Sequence, residues 1–189
     1  MLLVDIIRKN REAGARLLIE EFGARLFATA YRLCQNDADA EDLTFRTFAQ
    51  AVERISDFDG KSSLFTWLCA ILMNYRRMDM RRKGANALDF VAEIPDAEDV
   101  RPDPGEVLSC AEEADAIRKA VESLPDFLRE PTVLYYFDGF DVPEISRMTE
   151  TPEGTIYYRL HQARAMLREK LPSRFRGEAA SNRMEQQVS

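Results

Sequence analysis

The sequence predicts an all-α protein made of two small helical domains joined by an acidic flexible linker. Three observations predict it. Apolar residues recur at spacings of three and four in the first half, and the same spacing returns behind two capped helix starts near the end. Between them lies a stretch with Pro95, Pro102, Pro104 and Gly105, little helical periodicity and a strong negative charge.

The first domain is drawn over residues 1–83. Phe45, Phe48, Val52 and Ile55 keep a helical period, which breaks over 57–63 (DFDGKSS) and resumes with Leu64, Leu68, Ile71, Leu72 and Tyr75. The break is therefore a loop between two long helices, with Ser62 or Ser63 able to cap the second. Asp37, Asp39, Glu41 and Asp42 suit an acidic helix start better than a metal site. Along the second helix Trp67, Ala70, Asn74, Arg77 and Arg81 share one face, with Arg76, Arg82 and Lys83 beside it. Aromatics that stack bases and cations that track phosphates are what single-stranded DNA requires. Trp67 serves equally well as a core anchor, and arginines are also favoured at a helix C-terminus by its dipole.

Residues 84–112 form the linker. Net charge is +2 for residues 1–83, −9 for 84–116, −1 for 117–171 and +1 for 172–189, so the connection accounts for the chain's net −7 and the remainder is close to neutral. Residues 173–189 are a polar tail.

The second domain is drawn over residues 113–172. Asp141 with Glu144 three residues later has capping-box spacing, and Pro143 falls in the first turn, where its missing N–H costs nothing. Ile145 and Met148 point inward. After Thr151, Pro152 and Glu153 begin a second helix whose apolar stripe is Ile156, Leu160, Ala163, Leu167 and Leu171. Its opposite face carries Tyr157, Tyr158, His161, Gln162, Arg164 and Arg168. A short helix, a tight turn and a longer helix with such a face is the layout of a helix-turn-helix DNA reader, although an ordinary helical hairpin fits this segment as well.

Four strings, NDADAEDL (36–43), FDGKSSLFTWL (58–68), LPDFLRE (124–130) and EGTIYYRLHQARAMLRE (153–169), resemble the extracytoplasmic-function sigma factors of bacterial RNA polymerase. The resemblance covers roughly residues 17–83 and 116–171, most of the chain, and implies a sigma-2-like helical bundle followed by a sigma-4-like helix-turn-helix domain. It further implies a non-enzymatic subunit without cofactor or metal. The expected partners are core polymerase (through its beta-prime clamp and beta flap), promoter DNA and an anti-sigma factor. The implied minus-ten residues are Phe58, Asp59, Gly60, Lys61, Ser62, Ser63, Trp67, Asn74, Arg77 and Arg81. The implied minus-thirty-five residues are Thr155, Tyr157, Tyr158, Arg159, His161, Gln162 and Arg164, and the implied polymerase contacts are Asp39, Asp42, Phe45, Arg46, Phe48 and Ala49.

The sequence also departs from that pattern. Phe45 and Arg46 stand where Gln and an acid are usual, and Asn74 and Asp79 are one residue further apart than usual. Pro131 interrupts a helix starting near Pro125, so a kink or restarted helix is expected. Thr149 and Glu150 replace an apolar residue and Gly in the turn, and Tyr157, Tyr158 and Gln162 replace basic or small residues. Two other readings are a sigma-like decoy that sequesters an anti-sigma factor and a stand-alone helix-turn-helix regulator. The second does not explain the loop and Trp67 ridge of the first domain.

Other classes find little support. No apolar run suits membrane insertion, and MLLVDIIRKN has too short an apolar stretch for a secretory signal, so a cytoplasmic location is expected. Cys34, Cys69 and Cys110 are too scattered for a disulfide framework or zinc site, and His161 is the only histidine.

Overall fold

The computed structural model describes residues 2–82 and 110–171, and among these every regular element is helical. Helix α1 (Leu2–Lys9) turns at Asn10 into α2 (Arg11–Cys34), followed by α3 (Asp37–Glu53), a single 3-10 turn (Ile55–Asp57) and α4 (Leu64–Arg82). The second domain contains α5 (Cys110–Glu122), α6 (Asp126–Thr132), α7 (Val142–Thr149) and α8 (Glu153–Lys170). Residues 83–109 and 172–189, which include the core of the predicted linker and the tail, lie outside the described residues.

Local chemistry sets the boundaries. The Asn10 and Asn36 side chains accept from the N–H groups of Ala13 and Asp39, capping α2 and α3. Asp141 and Glu144 complete the capping box of α7. Helix α6 runs through Pro131 and then widens into a π turn over Val133–Phe137, where the Asp138 N–H reaches the Val133 carbonyl. Proline cannot donate to the Phe127 carbonyl, and this wide turn is where the helix takes up the disruption.

In α3 the inward stripe is Ala40, Leu43, Thr47, Phe48 and Ala51. It packs on α2 and on Phe65, Leu68, Cys69, Leu72 and Met73 of α4, all at most 4% exposed. Phe45 is 73% exposed, so it is not part of this core. The core continues into the second domain through Val133, Leu134, Phe140, Ile145 and Ile156. Phe65 links the two, with its ring 5.9 Å from that of Phe140 and the Arg25 guanidinium 3.7 Å above it.

Candidate nucleic-acid interface

The loop of the first domain is built by its own polar residues. Asp59 accepts from the Lys61 backbone N–H at 3.0 Å and pairs with its ammonium at 2.9 Å, which together hold the Asp59 carboxyl below its ordinary range. Gly60 has φ +75°, a conformation that favours glycine. The Ser63 hydroxyl accepts from the Thr66 N–H at 2.9 Å and so caps α4, while Ser62 is exposed. Phe58 is half-buried with its ring 5.5 Å from that of Trp67, and both rings pack against the core. Trp67 is thus both anchor and surface.

Beside it runs an open groove of about 440 Å³ lined by Gln50, Arg54, Asp57, Trp67, Ala70, Ile71, Asn74, Tyr75 and Met78. The Trp67 and Tyr75 rings, Ile71 and Met78 line it together with the Gln50 and Asn74 amides and the ion pair of Arg54 with Asp57, so apolar surface on which a base could stack lies beside hydrogen-bonding and charged groups. Asn74 is exposed at this rim and accepts from Arg77. Gln50 and Met78, which line the groove from α3 and α4, were not anticipated. Only the approach of α3 and α4 brings them together.

The basic ridge divides. Arg81 and Arg82 are exposed, but Arg76 is 5% exposed and belongs to the contact between the domains. Its guanidinium pairs with Glu130 at 3.1 Å and donates to the Leu33 carbonyl at 3.2 Å. Arg129, also buried, donates to that carbonyl at 3.4 Å and pairs with Asp126. Arg77 pairs with Glu150 at 2.9 Å, in the turn of the helix-turn-helix. The expectation that Arg76 and Arg77 face solvent as phosphate contacts is corrected accordingly in this arrangement: both are spent on the other domain. A second polar contact joins α2 to Asp138, whose carbonyl accepts from Arg25 at 2.9 Å and whose carboxylate accepts from Thr29 at 2.8 Å. Burial raises the Asp138 and Glu130 carboxyls above their ordinary range, more than Thr29, Arg25 and Arg76 lower them.

On α8, Ile156, Leu160 and Ala163 are buried, as their spacing implies. Tyr157 is 56% exposed and His161 lies beside it in solvent. Tyr158 and Gln162 are half-buried and joined by a 2.7 Å bond from the Gln162 amide to the Tyr158 hydroxyl. Thr155 is half-buried at the helix start. Arg159 and Arg164 are half-buried too: Arg159 is close enough to Glu130 for its charge to lower that carboxyl, and Arg164 acts likewise on the Tyr136 phenol. Neither projects freely as a phosphate clamp.

For the polymerase contacts, Asp39, Asp42, Phe45 and Ala49 lie on the exposed side of α3. Phe48 is 6% exposed and forms part of the core, so it is withdrawn from that set. Arg46 pairs with Asp42 at 2.9 Å and with Asp79 of α4, and lies 4.9 Å from the Tyr75 ring. Two of the departures are therefore partners: Arg46 and Asp79 join α3 to α4.

Residues 18–86 match the family model for sigma-70 region 2, and residues 114–167 match that for sigma-70 region 4. The ECF RNA polymerase sigma factor SigW of Bacillus subtilis is 27% identical over 87% of this chain and 92% of its own length. SigE of Mycolicibacterium smegmatis is 30% identical over 82% of this chain and 60% of its own. Among solved structures, the sigma factor RpoE of Bartonella quintana, in complex with the anti-sigma factor NepR, aligns with a TM-score of 0.59 at 27% identity, covering 82% of this chain and 93% of that one. CnrH, in complex with the cytosolic domain of CnrY, shares the fold with a TM-score of 0.60 at 21% identity over 89% and 94% of the two chains.

Proposed function

This chain belongs to the extracytoplasmic-function sigma factors, and from that premise we propose how its two domains divide the work of directing core RNA polymerase to promoters. The first domain engages the clamp through the exposed side of α3 and takes an unstacked minus-ten base at the loop and groove around Trp67. The helix-turn-helix domain meets the beta flap and reads the minus-thirty-five element through Tyr157, Tyr158, His161 and Gln162. The protein acts in the cytoplasm as a non-enzymatic subunit. The observation that carries this reading is the pairing of an aromatic groove on α4 with an exposed Tyr157 and His161 face on α8, in domains matching regions 2 and 4.

The two faces cannot serve a promoter while the domains touch. Elements about 25 base pairs apart lie roughly 80 Å apart along B-DNA, whereas Arg77 and Glu150 are in contact. The 27 residues between Arg82 and Cys110 could span at most about 97 Å, enough for the domains to part. We therefore assign the packed arrangement to the inhibited form, held by an anti-sigma factor as partner. The decoy is the second reading, favoured by Arg46, which is tied to Asp42 and Asp79 on the face that would meet the clamp.

Transcription with purified core polymerase and a pool of promoter fragments tests both. Initiation from a subset of promoters is the expected result, and exchange of residues 58–63 should change the preferred minus-ten base. Tight core binding without initiation would replace this reading with the decoy.

A further inference from the structure

Helix α1 lies outside every motif that suggested DNA binding, yet it touches the loop that would read the minus-ten base. Val4 and Ile7 are buried, and α1 packs on α2 and on the 3-10 turn Ile55–Asp57 that leads into the loop. The approach of α1 to α2 is set at Gly14: a Cβ there would fall 2.5 Å from the Ile7 Cα, a backbone atom that cannot move without moving the helix. From α1 so placed, the Arg8 guanidinium donates to the Phe58 carbonyl at 3.3 Å. Phe58 is the first residue of the loop, and its ring rests on Trp67. Its backbone is thus held from α1 and its side chain from α4.

We infer that α1 braces the minus-ten reading loop, with Arg8 as a positioning residue that fixes where Phe58 starts the turn toward Asp59 and Gly60. Arg8 itself is exposed, so its removal leaves the core intact. The inference rests on the minus-ten assignment made above. A loop released at one end samples more conformations, and a flexible loop discriminates less between bases because it adapts to the wrong one.

The test is initiation by full-length protein with core polymerase on a library randomised in the minus-ten element, for wild type, Arg8→Ala, Arg8→Lys and Gly14→Ala. The loss of one hydrogen bond corresponds to roughly a two- to tenfold change. Arg8→Ala should relax preference at the loop-read base by that factor, with an unchanged thermal midpoint and unchanged affinity for core polymerase. Arg8→Lys, which keeps a donor, should restore part of it. Gly14→Ala should relax the same position more strongly if the variant folds, and Arg8→Ala decides the matter if it does not. Unchanged preference in Arg8→Ala, in a protein whose preference does shift when residues 58–63 are exchanged, overturns the brace. If the loop exchange also has no effect, the minus-ten assignment fails first and takes the brace with it.

Discussion

Helices α4 and α8 both carry arginines and aromatics on a face that the sequence assigns to DNA, and the fold treats them differently. On α4 the residues nearest the second domain are turned toward it: Arg76 lies buried between Glu130 of that domain and the Leu33 carbonyl of α2, and Arg77 reaches Glu150. Arg81 and Arg82, one turn later, stay in solvent. On α8 the helix start keeps Tyr157 and His161 exposed, while Arg159 and Arg164 turn partly inward. Identical residue types on one helix thus have different fates according to which domain covers that turn. A basic ridge is a nucleic-acid surface only where no other part of the chain supplies the anions first.

The largest expected effect lies at the consumed end. Arg76→Ala leaves the Glu130 carboxylate buried without its guanidinium, and breaking one partner of a buried pair typically costs about 3–5 kcal/mol. Arg81→Ala, exposed on the same helix, should fall within about 0.5 kcal/mol. Urea unfolding of the two variants measures the contrast directly; equal midpoints would mean that Arg76 is not held as described.

That contrast also marks what the sequence could tell. The capping box at Asp141, the α8 stripe and the break over 57–63 were legible because each is a local pattern with a local cause. The partners of Arg76 were not, since Glu130 lies 54 residues away and nothing in the helical period announces it. Phase misled at α3: Phe45 and Phe48 both fit a spacing of three or four, but the buried stripe through Leu43, Thr47 and Ala51 takes in Phe48 and leaves Phe45 outside. Pro131 signalled a disruption, and only the structure shows it as a π turn that brings Phe137 and Asp138 to α2, where Arg32 stands over the Phe137 ring. Helix α7 is equally short but is announced by its capping box, whereas no such local signal marks α1.

On α8 the expected effect is in selectivity. The Gln162 amide is already oriented by Tyr158, and a good base contact is typically worth roughly 1–3 kcal/mol of discrimination. Gln162→Ala should therefore relax preference at one minus-thirty-five position by about tenfold, with little change in stability. Half-buried Arg164 offers less to phosphate, so Arg164→Ala should weaken all sites slightly and alike. Binding to a randomised minus-thirty-five library reads both, and a loss confined to one sequence in Arg164→Ala would reverse the two roles.

Acidity should sharpen the comparison from the side of the interface. Burial raises the Asp138 and Glu130 carboxyls in the packed protein, and both return to ordinary values when the domains part or the chain unfolds. Packing therefore takes up protons, so its contribution is fullest below the ordinary carboxylate range and is lost as pH rises through the raised values. General acid unfolding sets the lower limit of the usable window. Small-angle scattering between neutral and mildly acid pH should show a more compact protein at the acid end. Asp138→Asn, which keeps an acceptor for Thr29 and cannot titrate, should flatten the dependence.

The smallest expected effect separates the turn from the interface it serves. Glu150 has φ +51° and ψ +36°, the left-handed conformation that costs a residue other than glycine about 1 kcal/mol, and it accepts this while pairing with Arg77. Its side chain is largely exposed, so that pair is worth about 0–1 kcal/mol. Glu150→Gly relieves the backbone and removes the pair, and glycine's greater freedom in the unfolded chain offsets part of the relief. Stability should consequently change by less than about 1 kcal/mol, while the contact from α4 to the helix-turn-helix is lost. The informative readout is thus the separation of the domains, followed by energy transfer between labels on α4 and α8. Glu150→Gly should lower transfer with an unchanged urea midpoint, and Arg77→Ala should do the same without touching the turn. Lower transfer in Glu150→Gly alone, with Arg77→Ala unchanged, would mean that the strained turn, and not the ion pair, sets how α7 meets α4.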